Sequence, residues 1–185
     1  SQAQGQAPEP ASQASAAGTR VVVTADVDVL IGVGSNLDSP ARQVEIAFEL
    51  LATIPETAFV DRSSLYRSAP FGGVEQPDFV NAAARLRTRL GAWDLLEQLQ
   101  AIERSRGRER GDTRWGPRVL DLDLLAYGAE ILQEDGLVVP HPGIAERNFV
   151  LLPLREIAPE FEVPGLGRVL NIAVDENEPR ISRIA

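Results

Sequence analysis

The stretch R-W-G-P-R-V-L-D-L-D-L-L, Arg114 to Leu125, decides how the rest of this chain is read. Side chains along a strand alternate between faces, so Asp121 and Asp123 share one face while Leu120, Leu122 and Leu124 share the other. One face belongs in a core and the other carries a carboxylate pair. Two carboxylates about 6 Å apart repel by about 3 kcal/mol at an effective dielectric of about 20, so a fold that sets them side by side needs a proton or a cation between them. A hard divalent cation that takes one or two carboxylates, and leaves its other positions to water and phosphate oxygens, describes magnesium at a nucleotide site. Arg114 and Arg118 on either side of the Gly-Pro turn then read as phosphate partners. For a D-x-D alone, the solvated outer face of an edge strand is the plainer account. The arginine-bearing turn beside it favours the metal.

The whole chain sets limits on that reading. Its 185 residues, 44% hydrophobic, suffice for one domain with a core. A net charge of -9 argues against a general nucleic-acid binder, which would present a basic surface. Yet residues 104–118 hold six arginines against only Glu109 and Asp112, so positive charge is concentrated in one loop. The chain has no lysine and no cysteine, which excludes a disulfide framework or a thiolate metal site. It shows no secretory start and no run long enough to span a membrane, so a cytoplasmic location without a membrane partner is expected.

In chain order, residues 1–19 are Ser, Gln, Ala, Gly and Pro with few bulky apolar side chains, and they read as a disordered tail or linker before a domain at 20–185. Val27, Val29, Ile31 and Val33 mark a strand with one apolar face, and Ser39-Pro40 signals a helix whose buried stripe is Val44, Ala47, Phe48 and Leu51. Residues 57–67 read as one strand. The Pro/Gly-rich loop 68–77 follows, and residues 78–90 form the next strand with Val80, Ala82, Ala84, Leu86 and Leu90 inward. Phe79 and Asn81 therefore face the other way. Leu95, Leu99 and Ile102 define a helix over about 92–104, with Gln100 and Glu103 near its end. The arginine loop and the aspartate strand come next, then a short strand at 136–139, His141 between prolines, a helical stretch at 144–157 and a weakly patterned end. This order predicts an α+β fold with a ferredoxin-like βαββαβ core and a C-terminal extension. Strand parity then brings Phe79, Asn81, Asp121 and Asp123 onto one sheet face, provided no bulge intervenes.

R-W-G-P-R-V-L-D-L-D-L-L resembles the signature of the hydroxymethyl-dihydropterin pyrophosphokinases of the folate pathway. The resemblance runs from about Asp28 to Pro159 and includes G-S-N-L at 34–37, S-x-Y-R-S-A-P at 64–70, Q-P-D-F-V-N-A-A at 76–83, G-R-E-R at 107–110, V-P-H-P at 139–142 and R-x-F-V-L-x-P-L at 147–154. It implies transfer of a pyrophosphoryl group from ATP to the hydroxymethyl group of 6-hydroxymethyl-7,8-dihydropterin, with two Mg2+ ions held by Asp121 and Asp123. It further implies Arg108 and Arg118 as catalytic residues beside the aspartates, and Ser68, Ala69, Phe71, Phe79, Asn81, Trp115 and Phe149 around the pterin. Gln100, Glu103, Arg108, Arg110, Leu124, Val138 and His141 are implied on the ATP side, with Trp115 in a closing loop. The implied partners are the small-molecule substrates ATP and reduced pterin, with a monomer expected, possible as a fusion to or associate of another folate-pathway enzyme. A nucleotidyltransferase that releases pyrophosphate, and a non-catalytic ferredoxin-like binding module, are the rival readings.

Overall fold

The computed structural model describes residues 22–70, 72–73, 75–107 and 119–185. The expected tail at residues 1–19 lies outside them. Strand β1 (Val22–Ser35) is an inner strand of the sheet, and its alternating pattern explains why. Val29, Ile31 and Val33 pack into one layer, while Leu30, equally buried, packs into another. The expectation of a single apolar face is therefore corrected: β1 is covered on both sides, because a C-terminal helix packs on the face left bare by the two earlier ones.

Helix α1 (Pro40–Leu51) buries Val44, Ala47, Phe48 and Leu51 as its spacing requires, and Pro40 occupies the first turn, where its missing N–H costs nothing. Ser39 stands at the cap position with φ 63° but makes no side-chain cap bond; Gln43 reaches back instead, donating from Nε2 to the Asp38 carbonyl at 3.1 Å. The strand expected over residues 57–67 is two strands, β2 (Thr57–Arg62) and β3 (Tyr66–Ser68). They pair with successive halves of β4 (Phe79–Leu90), and the register slips by one residue between Arg62↔Ala84 and Tyr66↔Asn81. Ser63 fills the slip, its Oγ accepting the Ala83 N–H at 2.8 Å. Helix α2 (Ala92–Ser105) follows with Leu95 and Leu99 fully buried, and β5 (Asp121–Tyr127) pairs with the other side of β1.

The main sheet is antiparallel, in the order β10 (Ile181–Arg183), β3, β4, β1, β5, with β2 also on β4. Its first layer, under α1 and α2, holds Leu120, Leu122 and Leu124 together with Val80, Ala82, Ala84, Leu86 and Leu90. Its second layer is built by α3 (Asn148–Ile157), whose Val150, Leu151 and Leu154 pack with Leu30, Ala83, Leu125 and Ala126. The short strand expected near residue 137 is half of a hairpin, β6 (Leu132–Glu134) with β7 (Leu137–Val139), turned at Gly136 with φ 89°. The weakly patterned end forms a second hairpin, β8 (Glu162–Val163) with β9 (Gly167–Arg168), and then β10 (Ile181–Arg183), which joins the main sheet beside β3.

Candidate functional site

The register across β4, β1 and β5 builds the site. Asn81, Gly34 and Asp121 lie in one cross-strand row, and Ala83, Gly32 and Asp123 lie in the next. The slip in the β1–β5 ladder falls between Leu30 and Ile31, beyond both aspartates, so their parity with Asn81 and Phe79 survives. Asp121 and Asp123 are half-buried, and the leucines between and beyond them point into the α1/α2 layer. The central strand contributes no side chain at either row. A Cβ on Gly34 would stand 2.9 Å from Asn81 Oδ1, so the glycine lets that carbonyl oxygen lie across the strand toward Asp121. Gly32 leaves an ordinary gap of 3.6 Å to the Asp123 Cβ.

Asn81 is held rather than merely placed. Its Nδ2 donates to Ser68 Oγ at 2.7 Å, and both side chains are buried. This bond fixes which end of the amide faces the glycine row. Ser68 thus lies beneath Asn81, while Ala69 and Phe79 are half-buried at the two ends of the loop between β3 and β4. The end of that loop is tied to the G-S-N-L turn, since buried Asn36 donates from Nδ2 to Gln76 Oε1 at 2.9 Å and to the Pro77 carbonyl at 3.0 Å.

Phe149 sits in the first turn of α3, half-buried against the second layer, with the Arg147 guanidinium 6.0 Å from its ring centre. The helix that carries it is fastened at the other end. Glu156 accepts from Tyr66 OH at 2.6 Å and from Ser64 Oγ at 2.8 Å, which explains why the S-x-Y motif keeps two hydroxyls two residues apart. Burial works to raise the Glu156 carboxyl, but the bonds from Tyr66 and Ser64 and the charge of Arg183 outweigh it and hold it below the usual carboxylate range. Burial and the same carboxylate push the Tyr66 phenol well up.

Of the residues expected on the ATP side, Glu103 is buried at the end of α2, and its Oε2 accepts the Leu122 N–H at 3.1 Å. It therefore fixes the outer edge of β5 between the two aspartates. Gln100 is exposed on the same helix and Val138 is exposed on β7. Leu124, expected on the ATP side, has its side chain buried in the α1/α2 layer. His141 Nδ1 accepts the Gly143 N–H at 2.9 Å, which puts the ring proton on Nε2. Burial and the Arg147 charge lower its pKa, while Asp121 pulls the other way, so the ring is neutral near pH 7 and close enough to the carboxylate row to feel it. Arg147, Gly32, Gly34 and Glu156 are residues that sequence reasoning did not single out. The available signals were the alternating I-G-V-G at 31–34 and the arginine two residues before Phe149.

Phe71, Arg108, Arg110, Trp115 and Arg118, and most of the arginine loop with them, lie outside the described residues. Among the described residues no group of three or more His, Asp or Glu side chains could hold a metal by itself. The pair Asp121 and Asp123 fits a hard cation that draws its remaining ligands from water and substrate oxygens: two half-buried carboxylates on one strand face, each paired across the ladder with a glycine.

Comparison with known proteins bears on this arrangement. The sequence model of the family described as 7,8-dihydro-6-hydroxymethylpterin-pyrophosphokinase (HPPK) matches residues 30–159. The chain is 47% identical over 136 residues to the 2-amino-4-hydroxy-6-hydroxymethyldihydropteridine pyrophosphokinase of Pseudomonas aeruginosa, covering 74% of this chain and 83% of that one. It is 44% identical over 138 residues to the protein of the same name from Haemophilus influenzae, covering 75% and 86%. Among solved structures, Plasmodium falciparum HPPK-DHPS in its wild-type form with pteroate superposes with a TM-score of 0.63 at 13% identity, a likeness of fold; the match covers 83% of this chain and 42% of that longer one.

Proposed function

Because the chain belongs to the 7,8-dihydro-6-hydroxymethylpterin-pyrophosphokinase family, we propose that it transfers a pyrophosphoryl group from ATP to the hydroxymethyl oxygen of 6-hydroxymethyl-7,8-dihydropterin, giving AMP and the pterin diphosphate, a step of folate biosynthesis. The observation that carries the residue-level reading is the row Asn81–Gly34–Asp121, which sets an oriented amide and a carboxylate on one sheet face with a glycine on the strand between them. A flat heterocycle with an amide-like edge fits Asn81, and its hydroxymethyl arm would reach the aspartates.

In this reading Asn81 hydrogen-bonds the pterin edge, and Ser68 keeps the amide from rotating. Phe79 and Phe149 supply the two apolar walls, Phe149 held there by the Tyr66–Glu156 anchor of α3, while Ala69 and Phe71 belong to the rim. Asp121 and Asp123 would hold Mg2+, read as two ions, which when bound neutralises phosphate charge and acidifies the hydroxyl. His141 presents Nε2–H as a neutral donor to a phosphate oxygen. Glu103 keeps β5 in register, and Gln100, Val138, Arg108 and Arg110 are assigned to the nucleotide, with Arg118 and Trp115 beside the reacting groups. Phosphoryl-type transfer is mostly positioning and charge neutralisation, and oriented donors with arginines supply both.

The strand order β5-β1-β4-β2/β3, with helices α1 and α2 on one face, supports assigning the core to the ferredoxin-like class within one domain at 20–185. No described helix is long and apolar enough to cross a membrane, and a cytoplasmic monomer is the working assignment. The test is a turnover assay with ATP, magnesium and the reduced pterin alcohol. AMP formed in step with a pterin diphosphate is expected; pyrophosphate release with AMP left on an acceptor would overturn the proposal.

A further inference from the structure

Residues 160–185 lie beyond the span matched by the family's sequence model, yet their end is bonded into the walls of the proposed pterin pocket. The Arg180 carbonyl accepts the Ala69 N–H at 2.9 Å, where the chain leaves β3, and the Arg180 guanidinium meets Asp78 Oδ2 at 3.3 Å, where the chain enters β4. One residue therefore touches both ends of the loop that links the Ser68 and Phe79 positions. Immediately before it, the Pro179 carbonyl accepts a 2.7 Å bond from Nδ2 of Asn148, a fully buried side chain next to Phe149 at the start of α3. Immediately after it, β10 pairs with β3 from Ile181↔Ser68 to Arg183↔Tyr66, running beside the serine that orients Asn81 and the tyrosine that anchors α3. An exposed ion pair such as Arg180–Asp78 contributes little by itself, so the ordering rests on the buried Asn148 bond and the backbone pairs, with the charge pair setting alignment.

We infer that residues 179–183 form a positioning strap for the pterin pocket, holding the loop at 69–78 and the Phe149 turn at a fixed separation. The inference rests on the proposed pterin reading. Its consequence is selective: among the described residues, the bonds of the strap run to the pterin walls and to none of the residues assigned to the nucleotide, so its loss acts on one substrate. Misplacement of a ring by a fraction of an ångström is costly where catalysis depends on alignment.

The test compares four proteins: the parent, a chain ending at Glu178, Arg180→Glu, and the double swap Asp78→Arg with Arg180→Glu. The shortened chain is expected to raise the pterin KM about tenfold or more while the ATP KM stays within about threefold, and its Ala69 amide is expected to exchange faster with solvent. Arg180→Glu is expected to raise the pterin KM, and the double swap to restore it. An unchanged pterin KM in a cooperatively melting shortened chain, or an equal rise in both KM values, would overturn the strap. If the shortened chain does not melt cooperatively, the charge swap decides, and a double swap that recovers nothing counts against it. Failure of the parent to turn over the pterin would sink the proposed function instead. The Ala69 exchange rate then still judges the strap, faster exchange supporting it and unchanged exchange refuting it.

Discussion

Gly34→Ala offers a sharp probe of the site. The added Cβ would lie 2.9 Å from Asn81 Oδ1, closer than real Cβ contacts come, so the amide must move. Asn81 is not free to move without loss, since rotation breaks the 2.7 Å bond to Ser68 Oγ between two buried side chains. A buried polar group left unpaired costs about 1–3 kcal/mol. Against this, an alanine in place of a strand glycine gains about 0.4–1 kcal/mol by restricting the unfolded chain. Global stability should therefore drop by no more than about 2.6 kcal/mol, while the oriented acceptor proposed for the pterin is lost. Taken as the whole binding defect, about 1–3 kcal/mol is about a fivefold to 150-fold rise in the pterin KM. Gly32→Ala is the control, because its nearest neighbours stand at 3.5 Å or more. Steady-state kinetics with each substrate varied, together with thermal melts, read both effects. A Gly34→Ala enzyme with the parental pterin KM would refute the claim that this glycine exists to clear the Asn81 carbonyl.

Asp123→Ala should cut kcat by orders of magnitude while the melting temperature holds, since it removes a half-buried carboxylate proposed as a metal ligand and relieves repulsion with Asp121; comparable turnover in magnesium would contradict the assigned role. Tyr66→Phe removes a bond to an ionised carboxylate, about 1.5–3 kcal/mol, and should lower the melting temperature by about 3–12 °C near neutral pH. Because Glu156 titrates below the ordinary carboxylate value when folded, that difference is present above the unfolded value and should shrink as pH falls through the folded one; a pH-independent difference between the two proteins would refute it. His141 is held below the ordinary imidazole value, so the unfolded chain binds its proton more readily and the folded state loses stability as pH drops through the unfolded pKa. An NMR titration of the imidazole should place its midpoint below that of a free histidine, and a midpoint above it would be incompatible with the buried, Arg147-facing ring.

Much of this was legible in the residue pattern because strands repeat every second residue. The parity of Asp121 and Asp123 with Asn81 and Phe79 needed only that repeat and an uninterrupted register, and the one slip on β5 fell at Leu125, past the residues that matter. Leu124 stands on the core face by the same parity, and its side chain is buried there. The break at Ser63 was not legible, because it depends on a hydroxyl reaching Ala83 across the sheet. Nor was β10 legible: edge pairing uses backbone groups, which every sequence possesses, so a weakly patterned segment can complete a sheet.

The sequence by itself determined which chemistry the chain carries: two carboxylates on one strand face, an amide and an aromatic on one face of another strand, and arginines concentrated in residues 104–118. These follow from side-chain identity and a two-residue period, which are local properties. Tertiary structure decided what holds that chemistry in place. Ser68 under Asn81, Glu103 on the Leu122 amide, Glu156 on Tyr66 and Ser64, and Arg180 on Ala69 and Asp78 at the ends of a loop join residues distant in the chain, by 102 positions for Arg180 and Asp78. Such bonds depend on the packing of distant segments against each other, and no periodicity in the chain encodes them.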